Sequence, residues 1–140
     1  MKVLLSVKPE FANKIFEGVK RFEFRRTIFK EKVNTVLVYA SSPTKKVIGE
    51  FEIDEIINDS LDNLWRRTKK YAGIGKEYFY TYFADKEHGY AIKIKKITKY
   101  NRPLCIKKDL KLTPPQSFVY VSNDESSGGE GDRKETLEFA

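Results

Sequence analysis

The sequence predicts an α+β fold, in which a mostly antiparallel β-sheet is curled into a barrel and flanked by helices. The predicted elements follow the order β-α-β-β-β-α-α-β-β, which contains few of the strand–helix–strand units that a doubly wound parallel sheet requires. Several segments alternate apolar and charged residues, as strands with one buried face do. The chain has 140 residues, 40% of them hydrophobic, and domains typically contain roughly 100–150 residues, so we expect one domain.

The N-terminal part of the chain predicts a strand, a helix and a second strand. Residues 3–9 are apolar and end at a proline, and residues 10–17 carry apolar side chains at helical spacing. Gly18 follows, at the position where a helix end favours glycine in the left-handed conformation. In residues 20–27 phenylalanines alternate with charged residues, which predicts a half-buried strand with a charged face.

The later elements are predicted from apolar runs, alternation and helical spacing. A nearly continuous apolar run indicates a strand that is buried on both faces. The clearest alternation in the chain, over residues 89–100, indicates a strand with one buried face. Strands are predicted over residues 35–40, 46–57 and 89–100, and helices are predicted to begin at residues 61 and 76. Residues 113–121 are predicted to form an extended segment around two prolines and a final short strand. In that segment Gln116 and Ser117 could bring an amide and a hydroxyl near a ligand, although the geometry of the prolines needs no function.

A change in composition near residue 123 predicts the domain boundary. Residues 1–123 are predicted to form one domain. Residues 124–140 are rich in Gly and Ser and carry six acidic and two basic residues, which is typical of a disordered tail. A contact between this acidic tail and a protein partner is one hypothesis for its role.

The charge of the chain favours a polyanionic partner. There are 27 basic and 20 acidic residues, a net charge of +7. Residues 1–123 hold 25 of the basic and 14 of the acidic residues, so this part carries +11. Such an excess raises the local concentration of nucleic acid and speeds its capture. The alternative is a lysine-rich surface that only aids solubility.

Several classes of site are excluded or disfavoured. A single cysteine, Cys105, excludes an intramolecular disulfide and a zinc site with several cysteines. No metal-ligand spacing and no cofactor motif is found, so we expect neither a metal nor a cofactor. No apolar run approaches the ~20 residues of a membrane span, and the first apolar run is too short for a secretory leader. We therefore expect a cytoplasmic protein with no membrane partner.

Residues 5–26 carry the first candidate site. Lys8 ends one predicted strand, and Lys20 begins the next after a short helix and a glycine turn, so both lysines approach the same end of the sheet. Glu23 and Arg25, and with them Arg21, are expected on one face of the second strand. Cations would bind phosphate there, and a carboxylate would accept hydrogen bonds from base N–H groups. The alternative is a solvated strand face with ion pairs of little energetic value.

Two further basic segments are candidate contacts to a nucleic-acid backbone. A predicted helix carries basic residues followed by aromatic ones, among which Tyr71 or Tyr78 could stack on a base. Helical spacing also fits an aromatic core and a solvated basic face. On the strand over residues 89–100, lysines could bind phosphate or protect an edge strand from aggregation. The candidates are Arg66, Arg67, Lys69, Lys70, Lys93 and Lys95.

The segment over residues 5–26 resembles the signature of the ASCH domain family, a branch of the PUA-like folds. The matching residues are Lys8, Pro9, Gly18, Lys20, Glu23 and Arg25. Residues 38–43 and 47–53 resemble the central hairpin of the family, and PPQSF (114–118) resembles a motif of members described as predicted transcriptional regulators. The resemblance implies a PUA-like β-barrel whose cleft binds RNA or a nucleotide-like ligand. Lys8, Lys20, Glu23 and Arg25 would line this cleft, with Ser41 and Ser42 at its rim.

The resemblance also implies two enzymatic alternatives. One group of similar proteins hydrolyses acetyl-amide bonds on modified cytidine nucleosides with a lysine, a threonine three residues later and a glutamate. Lys20 matches the lysine, but Glu23 stands in place of the threonine, and Glu77 fits the glutamate only with a shift in the alignment. The second alternative is a ribonuclease in which Lys20 and Glu23 are the candidate acid and base and Arg25 stabilises a phosphorane.

Overall fold

The computed structural model describes residues 1–122 and 133–139, and for residues 133–136 the backbone alone is described. Seven strands form one sheet. They are β1 (Lys2–Val7), β2 (Phe22–Arg25), β3 (Thr35–Ala40), β4 (Lys46–Ser60), β5 (His88–Leu104), β6 (Phe118–Val121) and β7 (Arg133–Glu138). The helices are α1 (Pro9–Phe16), α2 (Leu61–Thr68), α3 (Lys76–Tyr82) and α4 (Ile106–Leu110), and a 3₁₀ turn, Lys69–Tyr71, follows α2.

The sheet is mostly antiparallel, as predicted. Its strand order is β2-β5-β4-β3-β1-β6, and β1 and β3 form a parallel pair. The long strands β4 and β5 pair along most of their length. Within the described residues the ladder does not close, because β2 and β6 end the series without pairing to each other. The structure thus supports the α+β class, whereas the predicted closure into a barrel is not observed.

The open sheet is nevertheless strongly curled. Four strand spacings separate β2 from β1 in the sheet order, which is about 19 Å in a flat sheet with ~4.8 Å between strands. Yet the guanidinium of Arg25 in β2 lies 3.4 Å from the carbonyl oxygen of Ser6 in β1 and 2.5 Å from Oγ of Ser117. The two ends of the sheet therefore approach each other, and the side chain of Arg25 crosses the opening between them.

Strand β5 lies inside the sheet. One of its edges pairs with β4, and the other pairs first with β2 and then with β7. The amide of Ile94 donates to the carbonyl of Arg21, and the amide of Phe139 donates to the carbonyl of Lys95, so β7 continues the edge where β2 stops. The lysines of this strand therefore do not protect an exposed sheet edge, and that interpretation was wrong.

The structure differs from the predicted disordered tail over residues 133–139. Arg133–Glu138 forms β7 and pairs with residues 96–100 of β5. Composition indicated disorder here, but the free edge of β5 supplies hydrogen-bond partners that the local sequence does not reveal. Residues 123–132, which hold the rest of the predicted tail except Ala140, and Ala140 itself lie outside the described residues. The boundary at residue 123 stays a prediction.

Helices α2 and α3 pack on β2 and β5 through an aromatic core. Phe79 and Phe83 are fully buried and meet Phe24 edge to face, at centroid distances of 5.3 and 6.2 Å. Tyr78 and Tyr82 of the same helix line a cavity instead. The aromatic side chains of α3, together with Phe83, are thus divided between core and site. Among the described residues no helix is long and apolar enough to cross a bilayer.

Candidate functional site

A cavity of about 340 Å³ opens where β1 and β2 approach each other, beside α1 and α3. We call it the first cavity. Its polar lining residues are Ser6, Lys8, Lys20, Glu23, Arg25, Ser41, Tyr78, Tyr82 and Gln116, and its apolar ones are Val7, Phe11, Phe24 and Ile74. Three cationic side chains thus face one carboxylate around a partly aromatic wall, which suits a ligand that has both negative charge and planar rings.

Lys20 is a buried lysine, with 2% of its surface exposed. Its ammonium donates to the carbonyl oxygen of Ala72 at 2.8 Å and lies 4.8 Å from the ring centroid of Phe24 and 5.5 Å from that of Phe11. Burial removes the ammonium from water and lowers the pKa of Lys20 to about 8, while the carboxylate of Glu23 opposes this shift. A lysine of this kind exchanges protons close to neutral pH, which an exposed lysine does not.

Glu23 and Arg25 form a buried ion pair next to this lysine. The distance from Arg25 Nη1 to Glu23 Oε2 is 3.3 Å, and the two side chains are 12% and 8% exposed. Arg25 also donates to Oγ of Ser117, so its guanidinium is held from two sides. These contacts hold the arginine across the opening of the sheet, where its side chain lines the cavity.

The outer wall of the cavity is aromatic and joins α1 to α3. The ring of Tyr78 meets that of Phe11 edge to face at 5.3 Å. Its hydroxyl accepts a hydrogen bond from Lys8 Nζ at 3.2 Å. The hydroxyl of Tyr82 donates to the carbonyl oxygen of Phe24, and burial raises the pKa of this hydroxyl above its ordinary value. Tyr82 therefore stays a neutral hydrogen-bonding group around pH 7.

Most of the predicted cleft residues meet in this cavity. Lys8, Lys20, Glu23, Arg25 and Ser41 all line it. The β-α-β path places the strand end and the strand start side by side, which is why spacing suggested the four charged residues. Ser41 was implied by the family resemblance alone. Their roles stay predictions.

Other predicted members lie elsewhere. Ser42 is exposed and does not line the cavity, and Glu77 on α3 is likewise exposed and outside it. Arg21, which was grouped with Glu23 and Arg25 as a neighbour on one strand face, lines a different cavity. It precedes β2, so the alternation of the strand does not extend to it.

Several lining residues were missed because they come from distant parts of the chain. Ser6, Phe11, Ile74 and Tyr82 carry no local motif, and the helical spacing of Tyr82 fits a core position equally well. Gln116 and Ser117 were predicted to lie near a ligand. Gln116 lines the first cavity, and Ser117 Oγ accepts a hydrogen bond from Arg25.

A second cavity, of about 330 Å³, is lined by three of the six residues that were predicted to contact a nucleic-acid backbone. Arg67, Lys70 and Lys93 line it, although Arg67 pairs with Asp59 and Lys93 with Asp54. The other three candidates, Arg66, Lys69 and Lys95, line neither cavity. The basic segments therefore do not form one continuous track beside the first cavity.

Metal-binding side chains do not gather in the described parts of the chain. Over residues 1–122 and 133–139, no three His, Cys, Asp or Glu residues form a group that could hold a metal ion.

Comparison with known proteins identifies the family. The ASCH domain model matches residues 5–101, which is more than half of the chain and includes Lys8, Lys20, Glu23, Arg25 and Ser41. The chain belongs to the ASCH domain family. The matched region ends before Gln116 and Ser117, so the segment that holds Arg25 from the far side lies outside the ASCH match.

Relatives of this ASCH protein include a ribonuclease and a ribosomal protein. An ASCH domain-containing ribonuclease of Zymomonas mobilis is 28% identical over 130 residues, covering 89% of this chain and 87% of that protein. The large ribosomal subunit protein uL22 of Ureaplasma parvum is 32% identical over 120 residues, and the match spans 85% of this chain but 39% of uL22.

The fold agrees with crystal structures of an ASCH protein from Zymomonas mobilis. One of them superposes with a TM-score of 0.85 at 26% identity, covering 95% of this chain and 96% of that one. A point variant of the same protein gives the same TM-score at 25% identity. The ASCH fold is therefore supported independently of the sequence match.

Proposed function

We propose that the first cavity binds RNA and cleaves its phosphodiester backbone. The observation that carries this proposal is the buried Lys20 with a pKa of about 8 beside the Glu23–Arg25 pair. These groups supply a proton donor, a proton acceptor and a fixed cation within one cavity. Similarity to an ASCH domain-containing ribonuclease over most of both chains supports the same reaction.

The arrangement suits cleavage by the ribose 2′-hydroxyl. Glu23 takes the proton of that hydroxyl as its oxygen attacks the adjacent phosphorus. The new bond joins O2′ to phosphorus, the bond from phosphorus to O5′ breaks, and Lys20 gives its proton to the departing 5′-oxygen. The products are a 2′,3′-cyclic phosphate and a 5′-hydroxyl. Arg25, held in place by Glu23 and Ser117, stabilises the charge on the non-bridging oxygens.

The test is a cleavage assay with four substrates across pH. Labelled single-stranded RNA, double-stranded RNA, DNA of the same sequence and N4-acetylcytidine are incubated with the full chain at two salt concentrations. We expect cleavage of single-stranded RNA and none of DNA, which lacks the 2′-hydroxyl. The rate is expected to fall as pH rises above about 8, because Lys20 must be protonated to act as the acid. Cleavage of DNA, or a rate that rises through pH 8, would contradict the mechanism.

Glycine at position 73 is expected to be necessary for the position of Lys20. Gly73 has φ +70°, and a methyl group there would lie 2.5 Å from Lys20 Cβ and 2.6 Å from its Cγ. Gly73→Ala should therefore displace the lysine and lower the single-turnover rate by about 10–100-fold, since small misplacements of reacting groups are costly. It should also destabilise the fold by ~1–2 kcal/mol through backbone strain.

Gly75→Ala is the matched control for that variant. Gly75 has φ −80°, and no atom lies within 4 Å of a methyl group added there. Its rate should stay within about twofold of the wild-type rate, and equal losses for both variants would show that the segment, not the contact with Lys20, is responsible.

Two other functions remain as competing hypotheses for the same cavity. A hydrolase of a modified nucleoside is disfavoured because Glu23 replaces the expected threonine, and Glu77 lies outside the cavity; release of acetate from N4-acetylcytidine would favour it. A pure RNA-binding module would give a salt-sensitive complex and no product in any arm of the assay.

A regulatory role in transcription or translation is a further hypothesis. It came from the resemblance of PPQSF to a motif of predicted regulators, and in the structure this segment contributes Gln116 to the first cavity. A protein partner for the acidic tail also stays a prediction. Replacing Asp124, Glu125, Glu130 and Asp132 with Asn or Gln should remove such a partner and spare RNA binding, whereas deletion of residues 124–140 would also remove β7 and Phe139.

A further inference from the structure

The second cavity lies back to back with the first across residues 71–74. Tyr71 lines the second cavity, Ala72 holds the ammonium of Lys20, and Ile74 lines the first cavity. Lys20 and Arg21 are consecutive residues, with Cα atoms ~3.8 Å apart, yet they face different cavities. A ligand in the second cavity therefore lies next to the residues that hold the candidate catalytic lysine.

Arg21 lies between two aromatic rings in this second cavity. Its guanidinium carbon is 4.1 Å from the ring centroid of Tyr71 and 4.2 Å from that of Phe139. The backbone amide of Arg21 donates to the carbonyl of Tyr71, and its Nε donates to that of Gly18. Both faces of the guanidinium are thus covered, and the orientation of the group is set before any ligand binds.

The two Nη groups of Arg21 are available for a ligand. Over residues 1–122 and 137–139, whose side chains the structure describes, neither of them makes a hydrogen bond or ion pair to the protein. A guanidinium with covered faces and free edge donors is the arrangement that binds phosphate oxygens in a bidentate manner. Because the orientation exists beforehand, little conformational entropy is lost on binding.

The charges around the second cavity favour an anion. Among the described residues four cations line it, and the one lining carboxylate, Asp54, is paired with Lys93. Arg67 is partly neutralised by Asp59. Lys70 lies exposed with its ammonium 5.5 Å from the ring of Tyr71, on the same ring that covers Arg21. Arg21 and Lys70 are therefore the two lining cations whose charge is least neutralised by described carboxylates.

We infer that the second cavity, between the aromatic-covered Arg21 and Lys70, binds a phosphate group of the RNA strand that occupies the first cavity. This inference rests on the proposed function for its ligand. Arg21 and Lys70 lie within the ASCH match over residues 5–101, whereas Phe139 lies beyond it. Phe139, which directly follows β7, thus completes the site by packing one of the two rings against Arg21.

The test measures binding of a labelled 12-nucleotide single-stranded RNA by fluorescence anisotropy across a salt series. Arg21→Gln is expected to weaken binding about 10-fold, as loss of charge-assisted hydrogen bonds does. It should also reduce the slope of log K against log salt by about 0.7, the value for one phosphate contact on a single strand. Lys70→Gln, at an exposed position that leaves the fold intact, should reduce the slope by a similar amount.

Phe139→Leu tests whether the orientation of the Arg21 guanidinium matters separately from its charge. It keeps every cation but uncovers one face of Arg21, so affinity should fall about threefold with an unchanged salt slope. Lys107→Gln on α4 is the matched control, because Lys107 is exposed and lines neither cavity. The Lys107→Gln variant should bind the RNA with nearly the affinity and the salt slope of the wild type, because the charge it loses lies far from both cavities.

Two outcomes would overturn the inference. One is that Arg21→Gln and Lys70→Gln bind like Lys107→Gln. The other is that a polyglutamate peptide of equal charge binds as tightly and is equally sensitive to Arg21→Gln, which would make this a site for acidic protein segments. If the cleavage assay succeeds while these variants bind normally, the second site alone is wrong. If the variants lose RNA affinity as expected but no RNA is cleaved, the cleavage proposal alone is wrong.

Discussion

Lys20→Met is expected to lower the rate of RNA cleavage at saturating substrate by about 10²–10⁴-fold, the range that one general acid contributes. Methionine has a similar length and fits the pocket formed by Phe11 and Phe24, but it has no proton to give. The rate constant is measured by single-turnover kinetics at pH 7, and affinity by anisotropy with the same RNA.

The role of Lys20 is decided by whether Lys20→Met lowers the cleavage rate or the affinity for RNA. A proton donor acts in the transition state, so kcat should fall while the dissociation constant changes by less than about 10-fold. Lys107→Met removes an exposed lysine that lines neither cavity and should keep the wild-type rate. Cleavage by Lys20→Met within about threefold of wild type would eliminate the mechanism, and a loss confined to affinity would make Lys20 a binding residue.

The same substitution is expected to stabilise the protein at pH 7 by about 2 kcal/mol. Burial lowers the pKa of Lys20 from 10.5 to about 8, and each unit corresponds to ~1.4 kcal/mol, so the buried charge costs about 3 kcal/mol at pH 7. Methionine cannot donate the hydrogen bond to the carbonyl oxygen of Ala72, and this loss reduces the expected stabilisation by about 1 kcal/mol. Catalytic groups commonly lower the stability of the folded protein, because activity requires them in surroundings that are unfavourable for folding.

This stability difference should depend on pH in a defined window. Between about pH 8 and 10.5 the unfolded chain keeps the Lys20 proton while the folded protein loses it, so wild-type stability rises with pH in this range. The methionine variant lacks this contribution, and its advantage should shrink towards pH 10.5.

Urea unfolding of both proteins at pH 7 and pH 10 measures the effect, with Lys107→Met as the reference for exposed lysines. A variant that is less stable than wild type at pH 7, or an advantage that does not change with pH, would show that the ammonium is not desolvated in the folded protein.

Much of the fold could be predicted because its strands have one buried face. The alternation over residues 46–57 and 89–100 indicated β4 and β5, and the helices at 61 and 76 begin where spacing and caps placed them. Helix α4 was missed because Ile106–Leu110 is too short to show a period. Strand β7 was missed because its pairing depends on a free edge of β5, which no local pattern reveals.

Part of the candidate site could be predicted because its residues lie close together in the sequence. Lys8, Lys20, Glu23 and Arg25 belong to one β-α-β unit, and short connections keep its ends together in space. Ser6 is part of this unit but has no chemical signal, and Tyr82 comes from a helix about sixty residues away. Arg21 was misplaced because the alternation of β2 was extended one residue beyond its true start at Phe22.

The sequence by itself determined the α+β class, the mostly antiparallel sheet, the ASCH signature and the group of charged residues that meets in the first cavity. These follow from local periodicity and short spacing, which the chain carries in every conformation. The tertiary structure decided the burial and lowered pKa of Lys20, the separation of Arg21 from Glu23, and the second cavity completed by Phe139. Desolvation and ring contacts depend on atoms from residues far apart in the chain, and only the packed fold brings those atoms together.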